Sequence, residues 1–212
     1  MVAPRDAVGA ALPWLVCNLA TNPQSMKSLR NELAPIAARK SATAVASGGI
    51  VTFEMGETKG QPYSRAAPFE SLGLFPSAPI EHKMALADDV LPSGHKVRGG
   101  DTILVSVYSM GRREEVWGDD CQEYKPERWL SEDGSWLRHV PSYVFMAFNT
   151  GPRSCPGKHI PVAQITSIMA TMVCNFDFEV LERQTVKPKL SPLMQMRNGL
   201  TVMVKKREES NL

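Results

Sequence analysis

The sequence predicts a mainly helical fold with a small β region, and three observations carry that expectation. Apolar residues recur at helical spacing over residues 2–19, 23–33, 63–74 and 157–175. Between 80 and 107, short apolar runs alternate with the turn signals Pro92-Ser-Gly94 and Gly99-Gly100. Several helix-length stretches set against a few short strands do not fit a doubly wound sheet. The 212 residues suffice for a sizeable core, and the 43% hydrophobic and 22% charged content is that of a globular chain.

The elements follow in order. Small and apolar residues run at helical spacing to the stop signal Asn22-Pro23. Pro4 is tolerated at a helix start, whereas Pro13 falls inside, where a proline costs about 3 kcal/mol. Pro23 to about Leu33 reads as a second helix with Leu29 and Leu33 on one side, ended by Pro35. Residues 37–49, rich in Ala, Ser and Gly, read as a flexible connector. Tyr63 to Leu74 is the third helix, stopped by Pro76; Pro68 lies within it, and Gly73 weakens it by up to about 1 kcal/mol.

In the strand region Ile103, Val105 and Val107 alternate with Thr102, Leu104 and Ser106, the apolar Leu104 making the pattern imperfect. Trp117-Gly-Asp-Asp120 and Tyr124-Lys-Pro-Glu-Arg-Trp129 form an irregular, aromatic-rich segment. A long helix is expected from about Gly157 to Asn175, with Ile160, Ala163, Ile168, Met172 and Val173 inward. Pro156 suits a first turn, and Pro161 is expected to kink the helix. Phe176 to Leu181 alternates as a strand, and Leu193 to Val204 reads as a hairpin around Asn198-Gly199. The closing Lys205-Lys-Arg207 and Glu208-Glu209 read as a solvated tail.

Charge and cysteine usage narrow the function. A net charge of +2 with no basic stripe interleaved with aromatics argues against nucleic acid. No run of about 18 apolar residues suggests a membrane span. Arg5 followed by the apolar 7–20 imitates a signal peptide, but Asp6 and Pro13 interrupt it. Cys17, Cys121, Cys155 and Cys174 are widely spaced without a Cys-x-x-Cys pair, which fits a reducing compartment. A zinc site built on Cys155 and His159 lacks further ligands at finger-like spacing.

The chemistry concentrates in Phe148-Asn-Thr-Gly-Pro-Arg-Ser-Cys-Pro-Gly157. Its glycines allow tight turns and close approach of a flat ligand, which a Cβ would obstruct. A thiolate ahead of a helix gains from the helix dipole, and Arg153 offers a fixed fork of donors for a carboxylate. An anionic sulfur beside an Arg suits an axial haem ligand, whose electron donation favours O–O cleavage. A lone Cys is more often a small buried hydrophobe in a turn. Here Phe-x-x-Gly-x-Arg-x-Cys-x-Gly is filled at every fixed position, which favours the ligand.

With this loop and the wording Met146-Ala-Phe-Asn149 and Gly151-Pro-Arg153, the chain resembles the C-terminal part of the cytochrome P-450 family, and within it the plant branch that hydroxylates fatty acids and alkanes. The resemblance implies a single partial domain over 1–212, with haem b as cofactor and Cys155 as axial ligand to its iron. It gives Phe148, Gly151, Arg153 and Gly157 to the cofactor, Arg153 pairing with a propionate. Residues 2–19 become the helix over the haem, with Asp6 as proton relay and Ala7 where an alcohol is usual. The family's Glu-x-x-Arg becomes Glu70-Ser-Leu-Gly73, leaving Arg128 as the one Arg of a structural lock and Glu70 poorly neutralised. Ser77, Ala78, Pro79 and Leu193 line the substrate pocket by the same resemblance.

The partners it implies are a flavin-containing reductase using NADPH, O2 and a small apolar substrate. The family's anchored location is the cytosolic face of the endoplasmic reticulum; the chain as given is expected to be cytosolic. On the residues themselves, Asp6 equally suits an exposed acid near a helix start. Ala7, Gly73, Pro13, Pro68 and Pro161 keep a second function class open: a truncated, non-catalytic remnant that does not bind haem.

Overall fold

A computed structural model describes residues 3–44, 48–189 and 191–207. In chain order its elements are α1 (Ala3–Thr21), α2 (Pro23–Ala44), α3 (Pro62–Leu74), β1 (Ile80–Met84), β2 (Asp89–Val90), β3 (Lys96–Val97), β4 (Thr102–Ser106), α4 (Val107–Met110), α5 (Glu114–Trp117), α6 (His159–Asn175), β5 (Phe176–Val180) and β6 (Val202–Lys206). The fold is mainly α with a small β region. Short 3-10 turns cover Pro126–Trp129 and Gly151–Arg153.

The four long helices share one core. Leu15 and Leu19 of α1, Leu29 and Leu33 of α2, Ala67 and Leu72 of α3, and Met169, Ala170 and Val173 of α6 meet in it. Burial of each large aliphatic side chain contributes roughly 1.5–3 kcal/mol. That explains why the interior prolines do not act as the sequence suggests. Pro13, Pro35 and Pro68 all lie inside continuous helices. The buried Ile36 and Ala37 draw α2 past Pro35, so residues 37–44 of the expected connector are helical. The backbone turns at Gly48 and Gly49, both at positive φ; residues 45–47 lie outside the described residues. Pro161 is the third residue of α6, where its missing N–H had no intrahelical acceptor to lose.

The inward face of α6 also differs from expectation. Ile160 and Ile168 are 58% and 40% exposed, whereas Ile165, Met169 and Val173 form the buried i, i+4, i+8 stripe. Ala163 and Met172 are half-buried at its margin. Polar ties hold α6 in place. Asn175 exchanges hydrogen bonds with Val51, accepting from its N–H at 2.8 Å and donating to its C=O at 2.7 Å. Arg30 of α2 donates to the Val173 and Phe176 carbonyls at 2.9 and 2.8 Å and pairs with Asp177 at 2.7 Å. A cation thus sits at the negative end of the α6 dipole.

The strands form antiparallel two-stranded ribbons: β1 with β4, β2 with β3, and β5 with β6. In β4, Ile103 and Val105 turn inward while Leu104 is 68% exposed; Val107 opens α4. The expected hairpin about Asn198-Gly199 is not formed. Gly199 turns the chain at φ +72°, but Val202–Lys206 pairs with Phe176–Val180. Residues 187–189 instead face 195–197, with Lys189 N–H donating to Gln195 C=O at 2.7 Å and Arg197 N–H to Lys187 C=O at 2.9 Å. β5 offers the buried Phe178 directly after α6, and this anchored edge captures the last strand. Lys205 and Lys206 therefore belong to β6 and are not a free tail, and Arg207 is half-buried. Glu208 and Glu209 lie outside the described residues.

One buried carboxylate joins α3 to the irregular segment. Glu70, 3% exposed, accepts from Arg128 Nε at 2.8 Å, Trp129 Nε1 at 2.7 Å and Lys125 N–H at 3.1 Å. Arg128 uses its remaining donors on Trp117 C=O, Asp120 C=O and the Asp120 carboxylate. Glu70 thus meets three donors without an Arg at position 73, the indole and a backbone amide standing beside the one guanidinium. Burial pushes the Glu70 carboxyl above the usual range, against the pull of Arg128, the Trp129 indole and the Lys125 amide. Beside this cluster, Gly73 and Gly111 bring their backbones together. A Cβ on Gly111 would stand 2.0 Å from the Gly73 carbonyl oxygen.

Gly111→Ala should therefore destabilise the fold by about 1–3 kcal/mol, the usual cost of overpacking, read from urea unfolding. Within the cluster, Arg128→Met should cost about 3–5 kcal/mol by stranding a buried charge. Trp129→Phe should cost about 1–3 kcal/mol through the lost donor. Because the folded Glu70 keeps its proton to higher pH than the unfolded chain does, its contribution is present below the ordinary Glu value of about 4.3 and declines as pH rises from there through the raised folded value. Glu70→Gln should flatten that part of the stability–pH curve; an unchanged slope would contradict the assignment.

Candidate active site around the cysteine loop

The loop 148–157 is shaped by two left-handed residues, Asn149 at φ +59° and Gly151 at φ +61°. Asn149, a residue type that tolerates this region, is held there by its side chain. Its Oδ1 accepts from Lys83 Nζ and from Thr150 N–H, each at 2.9 Å, and its Nδ2 donates to Glu81 at 3.1 Å. β1 thus fixes the entry to the loop. The 3-10 turn at Gly151–Arg153 follows, and Cys155 N–H donates back to Phe148 C=O at 2.8 Å. Residues 156–158 turn into α6, so Cys155 stands four positions before the first helical residue, His159.

Cys155 is half-buried and Arg153 exposed. Arg153 has no ion pair among the described residues. A Cβ built on Gly151 or Gly157 meets no atom within 4 Å. Neither glycine is thus required by packing within the chain: Gly151 serves the positive φ, and the side-chain position of Gly157 is open space. Phe148 lies in an aromatic cluster, with ring centroids 6.2 Å from Phe145 and 6.5 Å from Phe69, and Phe145 stands edge-on to Trp129 at 4.6 Å. Through these rings the buried Glu70–Arg128 pair is in packing contact with the loop.

The other predicted residues gather elsewhere. Asp6 is partly exposed and pairs with Arg5 at 3.3 Å; no hydrogen bond joins it to the loop among the described residues. Its neighbour Ala7 accepts from Ser77 Oγ at 3.0 Å through its carbonyl. Ser77 C=O accepts from Met194 N–H at 2.9 Å, and Pro79 C=O from Tyr108 N–H at 3.1 Å. Ser77, Ala78, Pro79 and Leu193 are all half-buried. The structure therefore brings Ala7, Ser77 and the Leu193 loop together.

Sequence reasoning missed a cavity of about 1050 Å³ on the Phe148 side, bordered by Phe69, Trp129 and Phe145. Lys59, Arg65, Arg138 and Lys158 add positive charge around it. These residues come from separate segments, so no run of basic residues announces the patch. Among the described residues no cluster of three or more His, Cys, Asp or Glu could hold a metal ion, and no helix is long and apolar enough to cross a membrane.

Comparison with known proteins fits this arrangement. The chain is 39% identical over 207 residues to alkane hydroxylase MAH1 of Arabidopsis thaliana, covering 98% of this chain and 38% of that protein. It is equally 39% identical to noroxomaritidine synthase 1 of Narcissus pseudonarcissus, covering 98% of this chain and 40% of that one. Cytochrome P-450 86B1 of Arabidopsis thaliana is 36% identical over 214 residues, 100% of this chain and 38% of its own length. The chain thus spans about two fifths of the length of these curated relatives. The sequence pattern of cytochrome P-450 matches residues 1–205, and the chain belongs to that family.

Proposed function

We propose that this chain is the thiolate-bearing part of a haem-dependent monooxygenase that hydroxylates long apolar substrates of the fatty acid or alkane kind. The observation that carries the reading is the Cys155 loop, with a half-buried sulfur, an exposed Arg153 and two glycines whose side-chain positions are open. This donor set fits haem b: sulfur for the iron, a guanidinium for a propionate and Gly157 for close approach of the ring edge. Haem bound there supplies the oxygen-activating chemistry. Cys155 would hold the iron, Phe148 would pack beside the sulfur and keep water from it, and Asp6 would pass protons inward. Ser77, Ala78, Pro79 and Leu193 would orient the substrate, and the alkane hydroxylase among the relatives supports an apolar one.

The basic rim of the large cavity suits an acidic partner surface, and a flavin-containing NADPH reductase is the proposed electron donor. The proposed setting is the cytosolic face of the endoplasmic reticulum. One observation favours a second reading, a non-catalytic remnant: Ala7 has no hydroxyl to pass protons from Asp6.

Two experiments separate these readings. Loaded with haem, reduced and exposed to carbon monoxide, the protein should give the red-shifted Soret band of thiolate ligation, and Cys155→Ser should abolish it. Cys17→Ser, Cys121→Ser and Cys174→Ser should retain it, since Cys121 and Cys174 are buried, and burial raises the Cys17 thiol and pushes Cys174 up to about 11. A wild-type protein without that band fits the remnant. Ala7→Thr should raise product formed per NADPH by restoring a relay hydroxyl; no gain would count against the role of Asp6.

A further inference from the structure

We infer that Trp14 is a positioning residue that sets the width of the substrate pocket, an inference resting on the proposed function. Trp14 is 2% exposed in the middle of α1, two helical turns beyond Ala7. Its indole makes two separate contacts. Nε1–H donates to Met194 C=O at 2.7 Å, across 180 residues of sequence. Its ring lies flat on Phe75, with centroids 4.0 Å apart and planes 3° from parallel. Arg112 also lies against this arrangement. Its guanidinium lies 5.4 Å from the Phe75 ring and 3.6 Å from that of Tyr108, and donates to the carbonyls of Leu74 and Tyr108.

These contacts make Trp14 a spacer between two pocket segments. Phe75 begins the path that leads to Ser77, Ala78 and Pro79, and Met194 directly follows Leu193. Met194 N–H donates to Ser77 C=O, and Ser77 Oγ to Ala7 C=O, closing a ring of contacts that returns to α1. A phenylalanine at position 14 could keep the stack, but only an N–H donor satisfies the buried Met194 carbonyl. The indole N–H therefore fixes where the 191–194 loop stands relative to Ser77. Displacing that loop moves Leu193 and with it the substrate's reacting carbon, while the cysteine loop stays unaltered.

The test is Trp14→Phe with two readouts. Hydrogen exchange at the Met194 amide should accelerate by about tenfold, because its loop loses the indole anchor on the Met194 carbonyl. With dodecanoic acid as probe in the haem-loaded protein, the ratio of hydroxylated positions should shift; a ratio does not depend on how much enzyme is folded. An unchanged Met194 amide overturns the inference, and so does an unchanged ratio from a protein that forms product. Absence of product from the wild type overturns the proposed function, whereas an unchanged ratio from a protein that forms product overturns this inference alone, so the two failures are distinguishable. Should Trp14→Phe fail to fold, Phe75→Leu removes the other contact of the spacer and keeps the indole donor. It is expected to shift the product ratio as well, and an unchanged ratio overturns the inference.

Discussion

The buried carboxylate of Glu70 is the constraint on which the cysteine side of the molecule depends. A carboxylate removed from water must be met by several donors, and this one draws them from three successive kinds of group: a guanidinium, an indole and a backbone amide. Satisfying them fixes Lys125, Arg128 and Trp129 against α3. Trp129 then presents its ring edge-on to Phe145, and Phe145 in turn packs on Phe148, whose carbonyl receives the Cys155 amide. An electrostatic requirement on one helix is thus converted into the placement of a sulfur through rigid aromatic packing.

The helical layer obeys a different balance. Three of its long helices contain an internal proline, yet none ends there. The lost backbone bond is a local penalty, whereas the apolar stripes of α1, α2, α3 and α6 are buried together. Hydrogen bonds from Arg30 and Asn175 then hold the end of α6, where strand β5 begins without an intervening loop. The small sheet follows from that junction, since β5 arrives already anchored and needs only a partner.

Much of this was legible in the sequence. The filled spacing around Cys155 identified the loop, and helical periodicity identified every long helix. What the sequence hid has physical causes. Pro35 is a breaker by local rules, and only the tertiary burial of Ile36 and Ala37 overrides it. Gly73 suggested an undersupplied Glu70 because an indole one residue past Arg128 does not look like a substitute for a guanidinium. Asn198-Gly199 carries a strong local turn signal, but pairing depends on which edge is free, and Phe178 supplied a better one. The basic cavity rim could not be read because its residues converge only in three dimensions.

The arrangement of the core has a consequence for synthesis. α1, α2 and α3 expose a common apolar face that α6 covers, and α6 ends about 100 residues after α3. At the usual pace of roughly 5–20 residues per second, α6 is completed about 5–20 s after α3. During this interval Leu29, Leu33 and Ala67 have no α6 partner, and Val51 lacks Asn175. The α6-facing part of the core is thus completed only late in synthesis, after the three helices it joins.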